Sequence, residues 1–236
     1  MTARSRCHLL LFRVMAVSSL FSTTSTLAQQ MDEQMWLQVN TVVPVANDLR
    51  LTMEQIARFS DRQEGLYQTE FGGVLGYRAS KNIELGFGYR RVDFHNANIT
   101  SGEHRLRQHI VATFGPLTTR LRIDERFSSS GPGIGFRIRP LLRYNHRLSL
   151  RGPVFFVSHE SFFLPNSTSW GQLRGYERMR NIVGATLPIG GHVNADVGYL
   201  NQYRFARGGE RAQMDHALSV QLTINLATVF GPSIND

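Results

Sequence analysis

Cysteine, lysine and long apolar runs are all scarce in this sequence, and each scarcity narrows what the protein can be. The one cysteine, Cys7, lies in an N-terminal stretch with export features, so the mature chain can have neither a disulfide nor thiolate chemistry. Among the 26 lysines and arginines, Lys81 is the only lysine. Lysine is the usual solvating cation of a soluble surface, whereas arginine suits packed ion pairs and bidentate anion contacts. Past the N-terminus no apolar run reaches the ~18 residues that mark a transmembrane helix. Gly131, Pro132, Gly133, Ile134 and Gly135 have no following Lys-Ser/Thr, so they read as a turn and not as a phosphate loop. There is no G-x-S-x-G motif. His95, His104 and His109 have neither the spacing nor the shared face of a metal site, and the sequence implies no metal and no cofactor.

What the N-terminus does contain is a targeting signal. Arg4, Arg6 and Arg13 precede an apolar run over residues 14–21, and Thr26, Leu27 and Ala28 offer small residues for cleavage. This reads as a bacterial secretory signal over 1–28, leaving 29–236 as one mature domain. The net charge of +8 then falls by the three arginines removed, to about +5. A basic chain invites a nucleic-acid reading. Against it, the arginines alternate with apolar residues and do not cluster in a tail or along one helix, so no nucleic-acid partner is expected.

Alternation is the dominant pattern. Arg120, Arg122, Asp124 and Arg126 fall on every second residue, and after a Ser/Gly turn Arg137, Arg139, Arg143 and Arg147 continue, with Phe136, Ile138, Leu142 and Tyr144 on the other parity. Successive side chains of a strand point to opposite faces, so one face is apolar and the other is crowded with guanidinium groups. Strands are predicted near 33–43, 48–59, 66–78, 82–94, 103–114, 118–128, 135–148, 153–163, 174–187, 192–204 and 213–226. Most are far longer than the ~5–6 residues of an ordinary strand, and they suit the ~9–11 residues a tilted strand needs to cross a bilayer. Short turns near 44–47, 79–81, 115–116, 152–153 and 188–191 alternate with longer polar loops at 60–65, 95–102, 128–134, 164–173 and 205–212. The fold class is therefore all-β: an antiparallel up-and-down transmembrane β-barrel of the outer-membrane kind. Bacterial barrels of that kind close with an even number of strands, which predicts about twelve, within a range of ten to twelve.

The apolar parity carries Phe71, Leu75, Leu85, Phe87, Val197, Leu218 and Leu222, together with Tyr67. The other parity carries charges and glycines. A soluble barrel with its apolar face inside would explain the alternation, but not the strand lengths, the near-absence of lysine or the loop asymmetry. The expected location is the bacterial outer membrane, with lipid outside and arginines in the lumen. Outer-membrane lipid and the barrel-assembly machinery are the expected partners.

Several stretches together resemble a known family. They are Trp36, Glu103-His104-Arg105, the run from Arg120 to Phe127, Arg143-Tyr144, His159-Glu160-Ser161-Phe162-Phe163, Arg178 followed by Gly184, Gly198-Tyr199-Leu200-Asn201-Gln202-Tyr203, and His216. Spread over nearly the whole mature chain, they are similar to the DUF2490 family of bacterial proteins. The resemblance implies an outer-membrane β-barrel and brings no established activity. This chain has Asp124 where the family tends to have glutamate.

The candidate site is the lumen charge network: Glu54, Glu70, Glu103, Arg105, Arg107, Arg120, Arg122, Asp124, Arg126, Arg137, Arg143, Glu160, Arg178 and Asp196. Arginine forks bind carboxylates bidentately, so such a network can fill a barrel as a plug, giving a structural or porin-like protein. Arginines in excess of acids would instead favour small anionic solutes in an anion-selective channel. A third class is a lipid-modifying enzyme, since outer-membrane lipases and acyltransferases set Ser, His and a carboxylate or amide together on the wall. His104, His216 and Asn201 are the polar candidates on the lipid-facing parity. No serine is placed beside them by sequence, and no catalytic residue is assigned.

Overall fold

A computed structural model describes residues 29–96, 99–149 and 152–226. The predicted export segment over 1–28, with Cys7, lies outside the described residues. Eleven strands follow one another: β1 (Gln30–Ala46), β2 (Leu49–Ser60), β3 (Gly65–Arg78), β4 (Ile83–Asn96), β5 (Ile99–Phe114), β6 (Leu117–Ser128), β7 (Ile134–Arg147), β8 (Val154–Leu164), β9 (Gly175–Gly190), β10 (Val193–Arg204) and β11 (Gln213–Asn225). Each strand pairs antiparallel with the next in sequence, and the sheet closes on itself.

Closure corrects the expected strand count. Eleven strands stand in the wall, not twelve, and none of the sequence-predicted segments lies outside it. In an up-and-down meander with an odd number of strands, the first and last run in the same direction. β1 and β11 accordingly pair in parallel, from Gln30 opposite Gln213 to Val42 opposite Asn225. A parallel ladder hydrogen-bonds as completely as an antiparallel one, so the odd count leaves no open edge.

The connections alternate in length, with one correction. One end carries the tight turns; at Gly115-Pro116, Gly115 has φ of 56°, a conformation a short hairpin turn requires and glycine adopts without penalty. The other end carries 165–174 and 205–212. The predicted long loop at 95–102 is instead mostly strand, because β4 runs to Asn96 and β5 starts at Ile99. The loop over 165–174 folds across the hairpin at 129–133. Trp170 donates its Nε1–H to the Gly133 carbonyl at 3.1 Å, and Ser169 donates to the Pro132 carbonyl at 2.7 Å.

The two faces separate as the alternation predicts. Phe71, Leu75, Phe87, Leu121, Leu142, Val157 and Leu218 are exposed on the outside, while Glu70, Glu103, Arg107, Asp124 and Glu160 are buried inside. Tyr67 is the exception. A register shift between β2 and β3 leaves it without a partner, so its hydroxyl turns inward and donates to Gln34 Oε1 at 3.0 Å. A bulge re-aims a side chain in just this way.

Candidate functional site

The lumen charges form two clusters of ion pairs and several separate pairs, because alternate residues of every strand point to one axis. Glu54 on β2 accepts from Arg90 at 2.7 Å and also from Arg107, which is almost fully buried. Glu70 on β3 accepts from Arg58 at 2.8 Å, from Arg90, and from Gln68 at 2.5 Å. Arg105 joins this cluster to the next: it bonds Glu103 and lies 4.0 Å from Glu70. Glu103 in turn takes a fork from Arg126, at 2.8 and 2.7 Å.

Asp124 and Glu160 anchor the other side. Arg137 grips Asp124 Oδ2 with Nε at 2.9 Å and Nη2 at 2.7 Å, and Arg139 reaches the same oxygen at 3.4 Å. Glu160 is surrounded by three arginines: Arg120 at 2.6 Å, Arg139 at 3.1 and 3.0 Å through two bonds, and Arg180 at 3.3 Å. Asp196 stands apart, toward the short-turn end, where it accepts from Arg143 at 2.8 Å and from Thr186 at 2.6 Å. Arg178 pairs with its chain neighbour Glu177. All fourteen candidate residues therefore line the lumen, and thirteen take part in ion pairs.

The arginine excess is absorbed by groups that sequence reasoning missed. Phe162, only 2% exposed, has the guanidinium carbons of Arg139 at 4.6 Å, Arg180 at 5.0 Å, Arg178 at 5.5 Å and Arg137 at 5.7 Å from its ring centroid. Phe156 lies under Arg143 at 3.7 Å, and Trp36 under Arg58 at 4.0 Å and Arg180 at 4.5 Å. An aromatic face attracts a cation, the more so where both are desolvated. Amides take up other guanidinium groups. Gln202 accepts from Arg180 at 2.8 Å, and Gln172 reaches in from the 165–174 loop to accept from Arg126 at 2.8 Å. Asp32 and Asp215 are further buried carboxylates inside the barrel. Asp215 sits on the same parity as the glycines and charges, so alternation pointed to it. Phe156 and Phe162 share the parity of Glu160 on β8, so alternation also placed them inward; what it did not show is that guanidinium groups would pack on their rings.

Arg122 is the one candidate without an ion-pair partner. It is buried, its Nε has no hydrogen-bond acceptor, and among the described residues no carboxylate lies within salt-bridge distance of it. It borders an internal cavity of about 680 Å³ that Arg58, Arg120 and Arg143 also line. Among the described residues no three His, Cys, Asp or Glu side chains converge as metal ligands.

A sequence model of the family described as "Protein of unknown function (DUF2490)" matches residues 33–213. The chain belongs to the DUF2490 family. It is 30% identical over 204 residues to an uncharacterized protein of Methylorubrum extorquens, an alignment covering 82% of this chain and 87% of that one. No solved structure matches the chain.

On the outside of this DUF2490 barrel the polar candidates do not combine. His104 Nδ1 bonds the Tyr89 hydroxyl at 2.5 Å, and its Nε2 bonds Arg91 at 2.6 Å. His216 bonds the Tyr199 hydroxyl at 2.5 Å, whereas Asn201 donates to Met214 Sδ at 2.7 Å. Among the described residues neither histidine is hydrogen-bonded to a serine. Sequence reasoning overlooked another outward histidine, His159, whose spacing from Ser161 was visible and whose cross-strand partner was not.

Proposed function

We propose that this DUF2490 protein is an integral outer-membrane β-barrel whose lumen is closed by its own side chains. The observation that carries the reading is the inversion of its faces. Large apolar side chains such as Phe71, Phe87, Val157 and Leu218 are exposed outside, whereas carboxylates and guanidinium groups are buried inside. In water that arrangement forfeits the hydrophobic effect; in a bilayer the apolar belt meets acyl chains and the paired charges are kept from lipid. Strand lengths agree, since every strand has 11 residues or more and a tilted span needs ~9–11. Export and the barrel-assembly machinery would deliver such a chain to the outer membrane. The expected result on fractionation is recovery with outer-membrane proteins, resistant to alkaline extraction and with a mobility on gels that shifts on boiling. Recovery of the mature chain in the soluble periplasmic fraction would sink the proposal.

Arg122 favours a second reading. An arginine with no carboxylate partner beside a cavity of about 680 Å³ is a place where a small anion can bind, and a row of such sites makes an anion path. Planar-bilayer recordings separate the two. A closed lumen gives no steady conductance. A path gives steps whose reversal potential in a salt gradient reports anion preference, and Arg122→Ala should diminish that preference.

A further inference from the structure

We propose that the outer wall carries a Ser–His–Asn catalytic triad, Ser161, His159 and Asn181, that cleaves or transfers the acyl group of a long-chain ester. His159 and Ser161 are two residues apart on the outward parity of β8, and Asn181 stands directly opposite His159 on β9. The contacts run in triad order. Ser161 Oγ is 3.0 Å from His159 Nε2, and His159 Nδ1 is 2.8 Å from Asn181 Oδ1.

The order fixes the proton. An amide oxygen can only accept, so it takes the hydrogen of Nδ1 and leaves Nε2 with a lone pair facing the serine hydroxyl. That is the state a general base requires, and an orienting group behind the imidazole completes the arrangement. Geometry of roles, not position in a sequence motif, identifies such a site.

A fourth residue strengthens the assignment. The Tyr176 hydroxyl lies 2.9 Å from Ser161 Oγ. With Ser161 donating to His159, the tyrosine donates to Oγ. Its place on the outer face needs explanation, because Asn181 and Tyr176 differ in parity. The β8–β9 ladder skips one residue, pairing Phe162 with Arg178 but Phe163 with Tyr176. The bulge at Glu177 turns Tyr176 outward beside the serine, and bulges are enriched next to active sites for this purpose. His104 and His216, also outward, each meet a tyrosine, and among the described residues neither bonds a serine or an amide oxygen.

The surroundings indicate the substrate class. A groove of about 410 Å³ adjoins the triad, walled by Leu142, Val157, Val183 and Tyr199 with His159 and Asn181 along it. An acyl chain fits this apolar channel, and its carbonyl would then lie beside His159 and the Ser161 hydroxyl bonded to it. Ser161 is also three residues from the end of β8, on the side of the 165–174 loop, so the site sits near one rim, where an ester linkage lies between acyl chain and headgroup. The lipid identity of the substrate rests on the membrane reading above; the ester chemistry does not.

The step balances with water or a second alcohol as the only co-reactant. Ser161 Oγ bonds to the ester carbonyl carbon as its proton passes to His159 Nε2. The carbon–oxygen bond to the leaving alcohol breaks, and His159 returns the proton to that oxygen. Water or an acceptor alcohol then attacks the acyl-serine by the same route. The Tyr176 hydroxyl is the donor placed to meet charge developing on the carbonyl oxygen.

The test uses the full mature chain refolded in detergent micelles. A fluorescent fluorophosphonate should label it at Ser161. p-Nitrophenyl esters should be turned over faster as the acyl chain lengthens from acetyl to palmitoyl, and phosphatidylethanolamine in mixed micelles should release fatty acid. Ser161→Ala and His159→Ala should each lose about 10³-fold or more. Asn181→Ala should lose less and shift the pH profile, while Asn181→Asp, which keeps the acceptor, should recover most of the rate. His104→Ala should retain full activity. The boiling-dependent gel shift confirms that each variant is folded. A folded wild-type barrel that neither labels nor cleaves any of these esters overturns the proposal, as does labelling that persists in Ser161→Ala. The outcomes separate from those of location: a soluble protein that labels at Ser161 keeps the chemistry and loses the membrane, and an inert membrane barrel does the reverse.

Discussion

Glu160→Ala should destabilise the barrel by about 3–5 kcal/mol, the cost of removing one partner from a buried ion pair. The carboxylate is buried and holds Arg120, Arg139 and Arg180 at once. Arg139 would retain Asp124, and Arg180 would retain Gln202. Arg120 would be left with no carboxylate among the described residues. The appropriate contrast is Glu84→Ala at the rim, where the Arg50 partner is 49% exposed; an exposed pair is worth ~1 kcal/mol at most. Glu160→Gln should fall between, because the amide keeps one acceptor for a guanidinium group. Urea titration of the refolded proteins, followed by the gel shift on boiling, measures all three. A Glu160→Ala protein as stable as wild type would mean that lumen water solvates the freed arginines, and the closed-lumen reading would fail with it.

The same residues show why part of this architecture was legible in sequence. Arg120, Arg122, Asp124 and Arg126 sit on alternate positions, and a strand converts that spacing directly into a shared face. Face and approximate strand position therefore follow from local pattern. Closure does not: the pairing of Gln30 with Gln213 joins segments from opposite ends of the chain, and nothing in either announces a parallel partner. Tyr67 departs from its expected face for a related reason, since one skipped residue in the β2–β3 register reverses a parity. The role of Phe156, Phe162 and Trp36 was hidden by their chemistry. They are apolar, yet the lumen uses them as faces for arginines that outnumber the nearby acids. The outer-wall triad needs both kinds of information. His159 and Ser161 could be read off one strand, but Asn181 and Tyr176 come into place only through cross-strand register and the bulge at Glu177.

Removing the side chains that cross the lumen should open it. The variant combining Arg139→Ala, Glu160→Ala and Arg180→Ala deletes the centre of the β7–β8–β9 cluster, and it removes two cations with one anion, so no lone carboxylate is left behind there. Asp124 keeps its fork from Arg137, and Glu54 and Glu70 keep theirs on the opposite wall, so much of the remaining network still supports the barrel. Eleven strands enclose more space than the roughly eight whose side chains just fill a barrel, and less than the sixteen or so that leave a broad aqueous pore. In that range the side chains decide whether the lumen conducts. The expected result in planar bilayers is steady single-channel steps in the triple variant at least about ten-fold above any in wild type. They should prefer anions, because Arg120 and Arg122 would remain along the cavity already present, and arginines lining a path select anionic solutes. Steps of equal size in wild type would show that this cluster does not close the lumen. No steps in a triple variant that still shifts on boiling would place the closure elsewhere, in the Glu54–Glu70 cluster or beneath the 165–174 loop, where Gln172 and Trp170 cover Arg126.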